Sequence, residues 1–300
     1  MSHRKAVLLM IMVTLLWSTA GVVSRHLDGA RSFEVTFWRS AFNALALIVA
    51  LSFMRGTALW GQLLRAPRQV WISGLCWSVM FTAFMVAITL TKVANVLVTM
   101  ALGPLITALF SRVFLKHHLP LRTWVAILVA TLGIGWMFGA EAGGGDAQSL
   151  LGVLVALAVP LSAAVNWTLL QHISHGKGDP EASDEAPIDM LPAVLLGALI
   201  SALSVLPLAW PFQASVHDLS LLALLGVFQL ALPCLLVVRL TRTLPGPEIS
   251  LLGQLEVLFG VLWAWAWGGE QLSPATLVGG LMVLGALAAN EALALRRRGH

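Results

Sequence analysis

Long apolar runs, separated by short polar stretches, fill this sequence from Ala6 to Leu295. A helix rises 1.5 Å per residue, so about 20 mostly apolar residues cross a hydrocarbon layer roughly 30 Å thick. A barrel would show alternation rather than runs such as Leu150–Leu161, and an open sheet cannot satisfy its edges in lipid. We therefore predict an all-α integral membrane protein. Its ten predicted spans are 6–24, 33–54, 69–91, 94–114, 121–139, 150–171, 188–209, 219–239, 246–268 and 275–295.

Composition supports this prediction and limits the function. Hydrophobic residues make up 58% of the chain and charged residues 11%, whereas a soluble domain carries about 25% charged residues. The connections between spans are too short for a soluble catalytic domain, so the function must lie among the helices. The chain has no His-Glu-x-x-His zinc motif, P-loop or Gly-x-Ser-x-Gly elbow, so we expect no enzyme activity, cofactor or metal.

The distribution of basic residues predicts the orientation. With a cytoplasmic N-terminus, the inner side holds all of the 18 Lys and Arg residues except Arg25, Arg31, Arg39 and Lys92. Cytoplasmic loops carry this excess in membrane proteins, so we predict the inner (plasma) membrane with both termini cytoplasmic. The basic rim would lie against anionic lipid, and no nucleic-acid partner is expected. Tyr is absent, so we assign the interfacial aromatic belt to Trp60, Trp71, Trp124, Trp136 and Trp210.

The ten spans divide into two groups of five at a Gly-rich stretch, 141–149, which we read as a loop; a second loop is expected at 172–189. Residues 103–120 and 256–273 follow a similar pattern, each ending a span and opening the next. This predicts two five-helix repeats, 6–140 and 150–295. An odd number of helices inverts the second repeat in the membrane, and inverted repeats are typical of transporters with a midplane site.

These motifs resemble a known family. Pro104 followed by 117–119, and 255–257 followed by 270–272, are similar to the EamA repeat of the drug/metabolite transporter superfamily. The segments 15–18 and 37–40 also resemble it. The departures are His117, where the family has Glu, and Val257, where it has Pro. Within the family the chain most resembles the YddG-like amino-acid exporters. That resemblance implies an inner-membrane exporter of amino acids, aromatic ones included, with a cavity between the two halves.

Glu256 is the clearest intramembrane charge, about ten residues into the ninth span, on one face with Gly253, Gly260 and Trp263. Charged groups at this depth usually face a cavity or a partner. Glu256 could bind a substrate ammonium or carry a proton, or it could be a packing residue paired with Arg39.

Arg39 lies about two turns into the second span. It could bind a substrate carboxylate through its planar fork. We expect instead that it snorkels to the outer interface and pairs with Glu34.

Further polar and aromatic faces recur at matched places in the two halves. Pro104 and Pro233 would break the backbone ladder there and free carbonyl groups. Hydroxyl groups on these faces could equally serve interhelical packing, and the aromatic rings could be core. The candidate substrate-binding residues are Trp17, Ser18, Asn43, Ser73, Trp77, Phe81, Thr99, Ser162, Asn166, Gln229, Glu256 and Trp263.

We therefore expect a secondary transporter that exports neutral amino acids, aromatic ones included, by alternating access. It is expected to act as a monomer in the lipid bilayer. Export of another metabolite or drug, a channel, and an intramembrane enzyme are the alternatives. A channel would need an oligomeric filter or a charged ring, which a single Glu256 does not supply.

Overall fold

The structure is a computed structural model that describes residues 2–30, 32–56, 58–115, 120–143, 147–175, 189–240, 243–244, 252–269 and 271–298. The described part is helical and contains no strand. Its elements are α1 His3–Ser24, α2 Ser32–Arg55, α3 Ala58–Leu64, α4 Arg68–Leu90, α5 Val93–Met100, α6 Gly103–Leu115, α7 Leu121–Gly143, α8 Ala147–His175, α9 Leu191–Ala209, α10 Val216–Leu224, the π-helix π1 Leu225–Ala231, α11 Leu232–Leu240, α12 Leu255–Ala266 and α13 Pro274–Arg298.

Among the described residues, seven helical stretches are long and apolar enough to cross a membrane, and three shorter helices are also apolar. The shorter ones are Leu121–Trp136, Leu255–Ala266 and Pro274–Asn290. The multi-pass, all-helical class is thus as predicted. The five Trp residues assigned to the aromatic belt are all exposed on the protein surface.

The prediction of a loop over the whole stretch 141–149 is wrong. α7 continues to Gly143 and α8 already begins at Ala147, because nothing in this stretch prevents backbone bonding once the helices leave the apolar layer. The residues between, 144–146, lie outside the described part. The second loop, predicted at 172–189, begins later than expected, because α8 continues to His175. Residues 176–188 of that loop, and 117–119 and Glu270 of the repeat motif, also lie outside the described part. The short helix α3 was not predicted.

Proline divides one span, as the sequence predicts, and accompanies a π-helical turn in another. The fourth span divides into α5 and α6 at a turn just before Pro104. In the eighth span π1 ends at Ala231, and Pro233 is the second residue of α11. Proline lacks an N–H and its ring clashes with the carbonyl four residues back, and a π-helical turn relieves that clash within a continuous helix.

Helix contacts in the first half of the chain have counterparts in the second half. α4 packs on α8 and α9, and correspondingly π1 packs on α1 and α2. α5 and α6 pack on α8, whereas α12 packs on α1; α7 packs on α13. The two halves are therefore interleaved, because the first helix of each packs against later helices of the other.

Small residues allow the closest of these contacts. A Cβ at Gly197 would lie 2.4 Å from the Trp77 Cβ and 2.9 Å from the Gly74 carbonyl oxygen. α4 and α9 thus meet backbone to backbone. Such approaches replace hydrophobic burial as the packing force between helices in lipid.

Two carboxylates join the halves at one end of the bundle. Glu34, at the start of α2, accepts from the backbone N–H groups of Gln213 (2.9 Å) and Ala214 (2.8 Å). Asp218, in α10, accepts from the backbone N–H groups of 28–30 and of Ser215. We call Glu34 and Asp218 the carboxylate latches. They attach the α1–α2 connection to the chain before α10.

Candidate functional site

Arg39 is the central residue of the site, and its position contradicts the sequence-based expectation. Its side chain is only 2% exposed, and Glu34 bonds the backbone of 213–214 and the Trp38 indole instead. The prediction that Arg39 snorkels and pairs with Glu34 is therefore wrong. The carboxylate of Glu34 is used to close the loop before α10, and the guanidinium turns inward, over the Phe84 ring at 5.6 Å.

The direct partner of Arg39 is the neutral amide of Gln229. Arg39 Nε and Nη2 donate to Gln229 Oε1 at 3.2 Å and 3.0 Å. Gln229 Nε2 donates to the Trp17 carbonyl oxygen at 3.1 Å. A flipped amide would face donors with its NH₂ group and the carbonyl with its oxygen, so only this orientation satisfies both neighbours. Gln229 thus connects α1, α2 and π1.

A close helix contact fixes this geometry. Gly226 in π1 leaves room only for hydrogen: an added Cβ would lie 2.6 Å from the Phe42 Cβ and 2.8 Å from the Arg39 carbonyl oxygen and the Asn43 nitrogen. π1 therefore lies directly on the backbone of α2. Gln229, three residues later in π1, is brought to the Arg39 side chain.

Glu256 and Trp263 add the α12 side of the site. Glu256 is half-buried, and its carboxylate lies within electrostatic range of the Arg39 guanidinium. Trp263 Nε1 donates to Ser18 Oγ at 3.0 Å. We call Arg39, Gln229, Glu256, Trp17, Ser18 and Trp263 the Arg39 cluster.

Some buried polar atoms here have no hydrogen-bond partner among the described residues. They include Arg39 Nη1 and both amide atoms of Asn43, one turn further along α2. Asn43 is fully buried. Unpaired groups of this kind cost about 1–3 kcal/mol each, so their presence side by side on α2 is typical of a binding site rather than of a finished core.

A second group, the Asn166 cluster, lies between α4 and α8. Ser73 Oγ donates to Asn166 Oδ1 at 2.6 Å, and Asn166 Nδ2 has no partner among the residues described. The Trp77 ring lies 5.5 Å from Phe81 and 6.3 Å from Trp167. Four predicted candidates therefore come together here, and Trp167 is an addition.

Thr99 and Ser162, two further predicted substrate-binding residues, lie outside the two clusters as defined above. Thr99 Oγ1 donates to the Asn95 carbonyl oxygen of its own helix at 2.8 Å, which is the packing alternative for a hydroxyl. Ser162 is half-buried, one turn before Asn166. The sequence-based reasoning missed Ser201, whose hydroxyl lies 2.8 Å from both Ser40 and Thr82. The available signal was a pair of serines, Ser201 and Ser204, in a span whose other residues are apolar.

Metal-ligand spacing in the described residues is found at Asp28, His217 and Asp218, whose ligand atoms lie within 4.8 Å of one another. The Asp218 oxygens already accept four backbone N–H groups, so this group is a latch rather than a metal centre. The Arg39 cluster offers opposite charges and hydrogen-bonding groups rather than a set of metal ligands.

The comparisons with known proteins concern the family and the fold. The sequence model of the EamA-like transporter family matches residues 4–139 and 150–290. The "Uncharacterized transporter YdfC" of Bacillus subtilis (strain 168) is 25% identical over 196 residues, which cover 64% of this chain and 60% of YdfC. The match thus spans less than two thirds of that relative. A protein of known crystal structure superposes with a TM-score of 0.61 at 22% identity, covering 100% of both chains, and it shares the fold.

Proposed function

The chain belongs to the EamA-like transporter family, and from this premise we propose that it is a membrane carrier that exports neutral amino acids, aromatic ones included. In this proposal ten spans form two inverted five-helix halves, with both termini cytoplasmic, and the halves rock around the Arg39 and Asn166 clusters. The carrier acts as a monomer by alternating access.

One observation supports the substrate class. Arg39, from the first half of the chain, and Glu256, from the second, bring opposite charges within electrostatic range, while the direct partner of Arg39 is a neutral amide. An amino acid carries a carboxylate and an ammonium on the same carbon. Its carboxylate would pair with the Arg39 fork and its ammonium with Glu256. A simple anion or cation would use only one of the two charges.

Aromatic side chains near both clusters favour an apolar substrate side chain. Trp17 and Trp263 belong to the Arg39 cluster, and the Trp77 and Phe81 rings lie 5.5 Å apart in a tilted arrangement at the Asn166 cluster. A largely apolar wall with few oriented polar groups is typical of small-molecule sites.

The test is transport in liposomes containing the purified protein. A radiolabelled neutral amino acid should enter with saturation, and unlabelled substrate inside should drive counterflow. The matching amino-acid amide lacks the carboxylate charge, and the deaminated acid lacks the ammonium. Each should need an about tenfold or higher concentration to inhibit transport of the amino acid, because each loses one charged hydrogen bond.

Two variants sharpen this test. Arg39→Gln should abolish amino-acid counterflow, whereas Arg65→Gln, at an exposed arginine, should retain it. Counterflow of a drug or another metabolite without any amino acid would refute the substrate class. Conductance steps without counterflow would indicate a channel.

A further inference from the structure

We propose that Gln229 is an internal substitute for the substrate carboxylate: it holds Arg39 while the carrier is empty and is displaced when substrate binds. This inference rests on the proposed function, because it requires a substrate whose carboxylate binds Arg39. It assigns to Gln229 a role in the empty carrier, beyond contact with substrate.

The geometry of the Arg39 contact carries the inference. Both donors that Gln229 engages, Nε at 3.2 Å and Nη2 at 3.0 Å, lie on one edge of the guanidinium. This is an edge at which a carboxylate binds bidentately, one oxygen to each donor. Gln229 presents a single uncharged oxygen to both. A carboxylate offers two charged oxygens and forms bonds about twice as strong, so it can displace the amide.

Burial explains why a substitute is needed. Arg39 is 2% exposed, and a desolvated cation without a partner is strongly unfavourable. An empty carrier must pass through an occluded state to return for the next substrate. In that state Gln229 accepts from Nε and Nη2, so these two donors stay paired while the empty carrier changes its orientation.

Displacement of Gln229 would also be transmitted to the helices. Its Nε2 donates to the Trp17 carbonyl oxygen of α1 at 3.1 Å, so the same amide joins a helix of the first half to π1 of the second. When a carboxylate replaces Oε1, the amide turns away and this interhelical bond is lost. Substrate occupancy thereby loosens the contact between α1 and π1.

The inference separates two transport modes. In Gln229→Leu the Nε and Nη2 donors of buried Arg39 lose their acceptor in the empty carrier, whereas in the loaded carrier they donate to the substrate carboxylate. Net efflux, which includes the return of the empty carrier, should fall about tenfold or more, as expected for an unpaired charged group. Exchange, in which the carrier is always loaded, should keep its rate, and its half-saturating concentration should not rise.

The experiment measures net efflux and exchange of the same radiolabelled amino acid in liposomes. Gln229→Asn, whose shorter amide cannot reach both neighbours, should behave as Gln229→Leu does. Gln229→Glu supplies a permanent carboxylate and should raise the half-saturating concentration in both modes about tenfold or more. Phe228→Leu, at a neighbouring exposed position of π1, is the matched control and should leave both modes unchanged.

The outcomes are distinguishable. If net efflux and exchange fall equally in Gln229→Leu and Gln229→Asn, or if neither falls, the proposed role of Gln229 is wrong. The proposal that the wild-type protein transports amino acids would still stand. If wild-type protein moves no carboxylate-bearing substrate in either mode, the proposed function itself fails. A monodisperse Gln229→Glu protein with wild-type affinity also overturns the inference.

Discussion

Replacement of Asp218 by Asn should separate the two chain segments that this carboxylate latch holds together. Asp218 is fully buried. Its Oδ1 accepts from the Asp28 N–H at 2.7 Å, and its Oδ2 accepts from Gly29, Ala30 and Ser215 at 3.0, 3.1 and 3.2 Å. The change keeps the shape of the side chain but removes its charge and one acceptor.

The magnitude follows from these four bonds. If the Asn oxygen takes the Oδ2 position, three bonds remain at neutral strength, and the new NH₂ group faces the Asp28 N–H. A buried donor left unpaired costs about 1–3 kcal/mol. With the weakening of three charge-assisted bonds, we expect a loss of about 2–4 kcal/mol in the free energy of unfolding.

The assay is reversible unfolding in mixed micelles of mild detergent and SDS, followed by tryptophan fluorescence. Asp28→Asn is the matched control, because the Asp28 side chain is 71% exposed and its backbone N–H is unchanged. This variant should be as stable as wild type. Equal stability of Asp218→Asn and wild type would refute the reasoning that the latch is held by charge.

Three further predictions concern packing, charge and topology. Gly226→Ala should destabilise the protein by about 1–3 kcal/mol through overpacking against α2. Gly285→Ala, with open space around the new Cβ, should not destabilise it, and unfolding in mixed micelles compares the two variants. Glu256→Gln should raise the half-saturating substrate concentration for exchange about tenfold or more, and wild-type exchange should not depend on a pH gradient. If Glu256→Gln instead loses accumulation driven by a pH gradient but keeps exchange, Glu256 is a proton carrier. Reporter tags at the C-terminus and in 172–188 should be cytoplasmic and a tag in 141–149 external; a cytoplasmic 141–149 would refute the inversion.

The sequence was sufficient for those features that depend on the membrane as a solvent. Lipid offers no hydrogen bonds to the backbone, so apolar runs of sufficient length must be helices. The division of the fourth span just before Pro104 was predictable from the covalent geometry of proline, whereas the π-helical turn before Pro233, within a continuous helix, was not. The extent of α7 and α8 into the stretch 141–149 was not, because outside the apolar layer the polarity of a residue no longer distinguishes helix from loop.

The candidate site was predictable only in part. Residue type and depth in a span identified Gln229, Glu256, Trp263 and Ser18, since polar groups at that depth require partners. Their pairing was not predictable, because it joins residues far apart in the chain, such as Trp263 with Ser18.

Arg39 shows most clearly what only the tertiary structure decided. From the sequence, Glu34 lies one helical turn and one residue before Arg39, and a local ion pair at the membrane surface was the expected solution. The structure instead uses Glu34 to bind the backbone of the loop before α10, and the close contact of Gly226 with α2 brings Gln229 to the guanidinium. Apolar periodicity determines that a helix forms and how deep its residues lie. Which buried donor meets which acceptor depends on helix–helix packing across the whole chain, and short-range patterns do not contain that information.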